Sequence, residues 1–136
     1  VTSLQFERLL SASGPFGGVV TRPSDGGHPK RLAWIQCVGS RNSHNANPWC
    51  SSVCCMYAAK QSIIAKEHDR GLDAHIFMMD VRDFSKGYSE YFRRARDRYN
   101  VHFTRCRISS FTVGPYENAT RSNFDLSCDS NNPAMS

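Results

Sequence analysis

Apolar and polar positions along this chain fall into helical and strand rhythms in alternation. Phe6, Leu9 and Leu10 recur at helix spacing behind Thr2 and Gln5, a pair suited to a capping box, so a short helix opens the sequence. Residues 14–30 are rich in Gly, Pro and Ser and read as a linker. Residues 32–38 (Leu-Ala-Trp-Ile-Gln-Cys-Val) form a nearly continuous apolar run stopped by Gly39-Ser40, which predicts a strand buried on both faces. A polar stretch follows, and Pro48 suits the start of a helix from about residue 50 to 68, broken by Gly71. Residues 72–81 contain Ile76-Phe77-Met78-Met79, apolar on both alternations, and predict a central parallel strand ending at Asp80. Tyr88, Tyr91, Phe92, Ala95 and Tyr99 make an i, i+3, i+4, i+7, i+11 stripe with Arg93, Arg96 and Asp97 turned away, the pattern of an amphipathic helix. Val101 and Phe103 belong to a third strand, which turns through Gly114-Pro115 into a hairpin before a loose polar tail.

The order strand, helix, strand, helix, strand gives, under the right-handed crossover rule, an α/β fold: a Rossmann-like βαβαβ parallel sheet, half of a doubly wound one. The expected division is 1–30 for the amino-terminal helix and linker, 31–117 for the α/β domain and 118–136 for the tail. At 136 residues, 40% hydrophobic and 21% charged, the chain suits one modest domain and excludes disorder or a collagen-like repeat. No apolar stretch approaches the ~20 residues of a membrane span, and no leader opens the chain, so no membrane insertion is expected. A start at Val1 that runs at once into a capped helix suggests a piece excised from something longer.

The formal net charge is +5, and Arg93, Arg94, Arg96 and Arg98 form a basic helix surface, with Arg105 and Arg107 beyond. No recognised nucleic-acid module accompanies them, so a solvated face or a partner contact is the reading and nucleic acid is not.

Chemistry points instead to the turn after the first strand, where a dinucleotide domain carries three glycines. Gly39 stands alone there, and Cys37 and Cys50 flank the turn. The spacing Cys37-x12-Cys50-x3-Cys54-Cys55 puts Cys50 and Cys54 on one face of the expected helix, with Cys55 about 100° round and Cys37 approaching from the strand end. Four readings stay open at this level: incidental buried thiols, a zinc ion, an iron–sulfur cluster and a redox disulfide. Vicinal cysteines strain a single zinc ion, whereas a [4Fe–4S] cube offers separate irons, and the positive end of the helix favours its charge. Crowded thiols of this kind fit a reducing, cytoplasmic setting.

Other candidates read blandly. Cys106 and Cys128 fall outside the motif, with a bridge between them conceivable. His28, His44, His68, His75 and His102 show no ligand spacing along the chain and are taken as surface or packing residues. Met56, Met78 and Met79 read as core fillers, Trp34 and Trp49 as packing residues, with Trp49 also placed to shield a centre at Cys50 from water. Asn118-Ala119-Thr120 is a sequon with meaning only in a secreted chain.

The stretch Ile35-Gln36-Cys37-Val38-Gly39-Ser40-Arg41, with Cys50-Ser51-Ser52-Val53-Cys54-Cys55-Met56-Tyr57-Ala58-Ala59-Lys60, resembles the heterodisulfide reductase family, in its A-type chain. The resemblance extends over most of residues 2–107 and includes Ser3-Leu4-Gln5-Phe6-Glu7-Arg8 and Arg22-Pro23-Ser24-Asp25-Gly26. It implies a fragment of an iron–sulfur flavoprotein oxidoreductase subunit on a thioredoxin-reductase-like core, relaying electrons to or from flavin. It also implies that Cys37, Cys50, Cys54 and Cys55 bind a [4Fe–4S] cluster and that Lys60 lies close to the flavin, in a catalytic and cofactor-binding role. The family's glycine-rich flavin motif and ferredoxin-type cysteine runs are not in this sequence, so FAD belongs to the full-length parent and the isolated fragment is expected to be inactive. Partners would be other heterodisulfide reductase-type subunits or electron-donating oxidoreductases. The contrasting reading is a structural zinc or protein-interaction module without redox activity.

Overall fold

The computed structural model describes residues 1–113 and 124–128. Helix α1 (Ser3–Leu10) is followed by β1 (Arg31–Ile35), α2 (Cys54–His68), β2 (Asp73–Met78), α3 (Tyr88–Tyr99), β3 (His102–Arg105), β4 (Ile108–Val113) and β5 (Phe124–Cys128). Strands β1, β2 and β3 form a parallel sheet in that order, with Trp34 opposite Ile76 and Ile76 opposite Phe103. The α/β class and the strand–helix alternation expected from the sequence are therefore present. Strands β4 and β5 make a separate antiparallel pair. Strand β5 falls within the stretch read as polar tail, while Gly114-Pro115, the sequon and residues 129–136 lie outside the described residues.

The capping box at Thr2 and Gln5 forms as the sequence predicts: the Thr2 side chain accepts from the Gln5 amide, and the Gln5 side chain accepts from the Thr2 amide. Helix α1 buries Phe6, Leu9 and Leu10 against Val20, Ala65 and Leu72. Residues 11–30 are tied down rather than trailing: Val20 is buried, His68 hydrogen-bonds the Gly18 carbonyl at 2.6 Å, and Arg22 forks onto Asp25. Gly14 makes the first turn possible, since a Cβ there would stand 2.1 Å from the Arg8 carbonyl oxygen.

The apolar run of β2 does not bury both faces. Ala74, Ile76 and Met78 are buried, whereas Asp73, His75 and Phe77 are half-buried. Helices α2 and α3 both pack on the first face, through Ala58, Ile63 and Ala95. In β1 no residue is fully buried and Ala33 is exposed, so the reading of residues 32–38 as a strand buried on both faces is corrected along with that of β2. A run of apolar residues records burial propensity, but the side on which the crossovers pass decides which face is covered.

A buried glutamine ties three elements together. Gln61 accepts from the Trp34 indole N–H (3.1 Å) and donates to the Ser3 carbonyl (2.9 Å) and to Glu7 (3.1 Å). Beside it, Lys60 pairs with Glu7 at 2.5 Å. The hydrogen bond from Lys60 holds the Glu7 carboxyl below its ordinary range, outweighing its burial. A lowered carboxylate contributes stability above its unfolded value and loses it as pH falls through the folded value. Glu7→Gln is thus expected to cost up to about 1 kcal/mol at neutral pH. In urea unfolding, the gap from the unsubstituted chain should close as pH falls through the acidic carboxylate range.

Candidate metal centre

The site is built by the long connection between β1 and α2, at the carboxyl ends of the parallel strands. Gln36 continues the pairing by donating to the Phe77 carbonyl (2.9 Å), and Cys37 then leaves the sheet in the left-handed region (φ 61°). The loop folds back through an Asn42–Asn47 bridge (3.0 and 3.2 Å) and an Arg41 amide bond to the Trp49 carbonyl (3.1 Å). Cys37, Arg41, Ala46 and Ser52 all carry positive φ, four of the five such non-glycine residues among those described. Left-handed backbone at non-glycine residues is costly and persists only where the surrounding contacts hold it.

Helix α2 begins at Cys54, four residues after the expected start. Ser52 at φ 65° breaks the helical path, so Pro48 and Cys50 sit in the loop and Cys50 does not share a helical face with Cys54. The positive helix end accordingly lies at Cys54 and Cys55. Val53, at the cap position, gives no side-chain hydrogen bond, and the Cys55 amide of the first turn is directed at the Cys54 sulfur.

Tertiary folding nevertheless brings the sulfurs of Cys37, Cys54 and Cys55 within reach of one another, while Cys50 faces Ser52 and Arg82. Hydrogen bonding with the neighbouring Cys55 side chain, with further bonds from Ser51 and the Cys37 and Cys55 amides, overcomes burial and lowers the Cys54 thiol to about 5, while Cys55 Sγ lies 3.8 Å from the Asp80 carbonyl, to which it donates. The hydrogen bonding with Cys54, burial and the charges at Cys54 and Cys37 push Cys55 strongly upward. Cys37 is raised by burial and by the Cys54 charge, against the opposing effect of Arg41 and the Met79 amide. Cys50 accepts from the Ser52 amide at 3.3 Å and interacts electrostatically with Arg82. Each of the four sulfurs therefore has a backbone amide directed at it: Met79 at Cys37, Ser52 at Cys50, Cys37 and Cys55 at Cys54, and Arg82 at Cys55. Amide donors favour thiolate over thiol.

Two guanidinium groups complete the surroundings. Arg41 forks onto Asp80 and also reaches Cys37, while Arg82 donates its Nε to Asp80 at 3.1 Å. Burial works against the Asp80 charge, but the bonds from Arg82 and Arg41 prevail and lower its pKa. Asp80→Asn is expected to release both cations and cost about 1–3 kcal/mol of folding stability, read as a lower urea midpoint at pH 7. Asp80, Arg82 and Ser51 stand outside the site expected from the sequence. Their signal is a carboxylate at a parallel strand's end flanked by arginines, a pattern too common to single out.

Lys60 is one and a half turns beyond Cys54 and is partnered by Glu7 rather than by a thiol. Trp49 does not pack: it is 70% exposed, because the loop turns its ring outward while using its carbonyl, so neither its packing role nor shielding by it is seen in this chain. Trp34 does pack, edge-on to Phe6 at 5.6 Å. Cys106 is buried beyond β3, its amide on the Met78 carbonyl (2.8 Å), and the Cys128 side chain lies outside what is described. The arginines of α3 are solvated and locally paired, Arg93 with Glu90 and Arg96 with Asp97, with Arg94 over the rings of Tyr91 and Tyr99.

The donor set suits a thiolate-ligated group of negative charge: four sulfurs, convergent amides, two cations and a helix amino end. A single tetrahedral zinc ion with ~2.3 Å bonds needs sulfurs about 3.8 Å apart. Among the described residues, no three of these sulfurs lie within 4.8 Å of one another.

No protein-family model matches the chain. It is 50% identical over 115 residues to a protein of Methanopyrus kandleri named as an A-type iron-sulfur subunit of CoB–CoM heterodisulfide reductase, covering 85% of this chain and 18% of that protein. The corresponding protein of Methanocaldococcus jannaschii is 47% identical over the same shares. The A-type subunit of the ferredoxin/F420H2-dependent CoB–CoM heterodisulfide reductase of Methanosarcina acetivorans is 41% identical over 114 residues, 84% of this chain and 14% of that protein. The chain thus spans less than a fifth of the length of these relatives, which are by name oxidoreductase subunits. Among the described residues no helix is long and apolar enough to cross a membrane.

Proposed function

We propose, from homology to a segment of the A-type iron-sulfur subunit of heterodisulfide reductase, that Cys37, Cys50, Cys54 and Cys55 hold a [4Fe–4S] cluster within an iron–sulfur flavoprotein oxidoreductase. The observation that carries this reading is the direction of a backbone amide at each of the four sulfurs, beside Arg41 and Arg82. Incidental thiols have no need of such a shell. When bound, a cluster supplies one-electron transfer, and hydrogen bonds to its sulfurs set its potential. The chain's own residues ligate, orient and stabilise negative charge. Lys60, steadied by Glu7, is the ammonium offered towards flavin on the neighbouring surface.

FAD, the remaining electron carriers and the partner subunits or electron-donating oxidoreductases belong to the parent protein, in a cytoplasmic setting where thiolates stay reduced. Anaerobic reconstitution with iron and sulfide tests the assignment. Brown absorption with iron and acid-labile sulfide in equal amounts is expected; a colourless protein that takes up only zinc would establish the structural alternative instead.

A further inference from the structure

At the opposite end of the sheet from the sulfurs, three ligand-type side chains converge on the face that α2 and α3 leave uncovered. Asp73 and His75 are two apart on β2 and so point the same way, and the parallel register sets His102 of β3 directly beside His75. His75 Nε2 lies 3.0 Å from Asp73 Oδ1, and His102 Nε2 lies 3.6 Å from the same oxygen. The imidazoles are stacked with centroids 4.7 Å apart, and all three donor atoms fall within 4.8 Å of one another.

We infer that Asp73, His75 and His102 form a second metal site, taking a borderline divalent cation of the zinc type through two imidazole nitrogens and one carboxylate oxygen. Bond lengths of ~2.0–2.1 Å in a tetrahedral site separate donor atoms by about 3.4 Å, and the two separations from Asp73 Oδ1 bracket that figure. Arg31 approaches the other carboxylate oxygen, Oδ2, at 3.6 Å, which leaves Oδ1 turned to the imidazoles. Two nitrogens and one hard oxygen select zinc, cobalt, nickel or copper over magnesium or calcium, and three protein ligands leave a fourth position for water or an incoming group. Such an ion would fasten β2 to β3 at the amino end of the sheet, about 16 Å of strand from the cysteine loop. No search along the chain finds this set, because its two histidines are 27 residues apart and meet only through strand register.

Cobalt(II) titration of the chain, followed in the ultraviolet and visible, separates this site from the thiols. Sulfur ligation gives an intense sulfur-to-cobalt charge-transfer band, whereas nitrogen and oxygen donors give only weak d–d bands. The expected result is one equivalent without charge-transfer intensity, in addition to any bound by sulfur. His102→Gln and Asp73→Asn should each weaken that equivalent by at least about tenfold and leave the charge-transfer band unchanged. Both positions are partly exposed, so folding is not at stake, and circular dichroism checks it. Cobalt bound solely with charge-transfer intensity, or equal binding in both variants, would overturn the assignment, and neither result bears on the iron–sulfur reading.

Discussion

Cys54→Ser is expected to abolish cluster assembly, taking iron from about four per chain to less than one after anaerobic reconstitution. Cys54 is the member of the set to which Cys37 and Cys55 are tied. It hydrogen-bonds with the Cys55 side chain, accepts from Ser51 and from the Cys37 amide, and its charge is felt at Cys37. A serine hydroxyl is a harder, less readily ionised donor, so the substitution removes a ligand while keeping nearly the same shape. The measurement is iron and acid-labile sulfide per chain, with visible absorption. Cys106→Ala serves as the contrast: that sulfur lies outside the loop, beyond β3, and iron content should be unaffected. Unchanged iron in Cys54→Ser, or equal loss in Cys106→Ala, would show that the loop sulfurs are not the ligands.

A comparably large effect is expected on stability from Ile76→Ala, at about 2–5 kcal/mol. Ile76 is the middle of the central strand, fully buried, with β1 and β3 on either side and Ala58, Ile63 and Ala95 packed above it. Its neighbours there are mostly small or held by the sheet ladder, so little can move in to fill the cavity. Since whole domains are stable by only about 5–15 kcal/mol, the variant should unfold at clearly lower urea or temperature. A shift below about 0.5 kcal/mol, the scale of a surface substitution, would place Ile76 outside the core.

The elements were legible wherever local chemistry decides them. Helix α3 matches its aromatic stripe from Tyr88 to Tyr99, and α1 starts at its capping box, because side-chain period and end-capping are properties of a few adjacent residues. Less legible was the start of α2. Pro48 reads as a first helical residue, yet Ser52 adopts a left-handed conformation that only the packed loop enforces, and the helix waits until Cys54. Trp49 likewise looks like core by composition and is turned to solvent by the path of its loop.

The sequence by itself determined the alternation of strands and helices, the opening cap and the inventory of thiols around one turn. Tertiary structure alone decided that Asp80 binds Arg41 from 39 residues away beside Cys37, that one face of β2 stays open, and that His75 meets His102. Periodicity and capping act within a turn or two of chain, so they can be read in order. Which side of a sheet a crossover covers, and which charges meet across it, depend on contacts between segments whose separation in sequence carries no information about their distance in space.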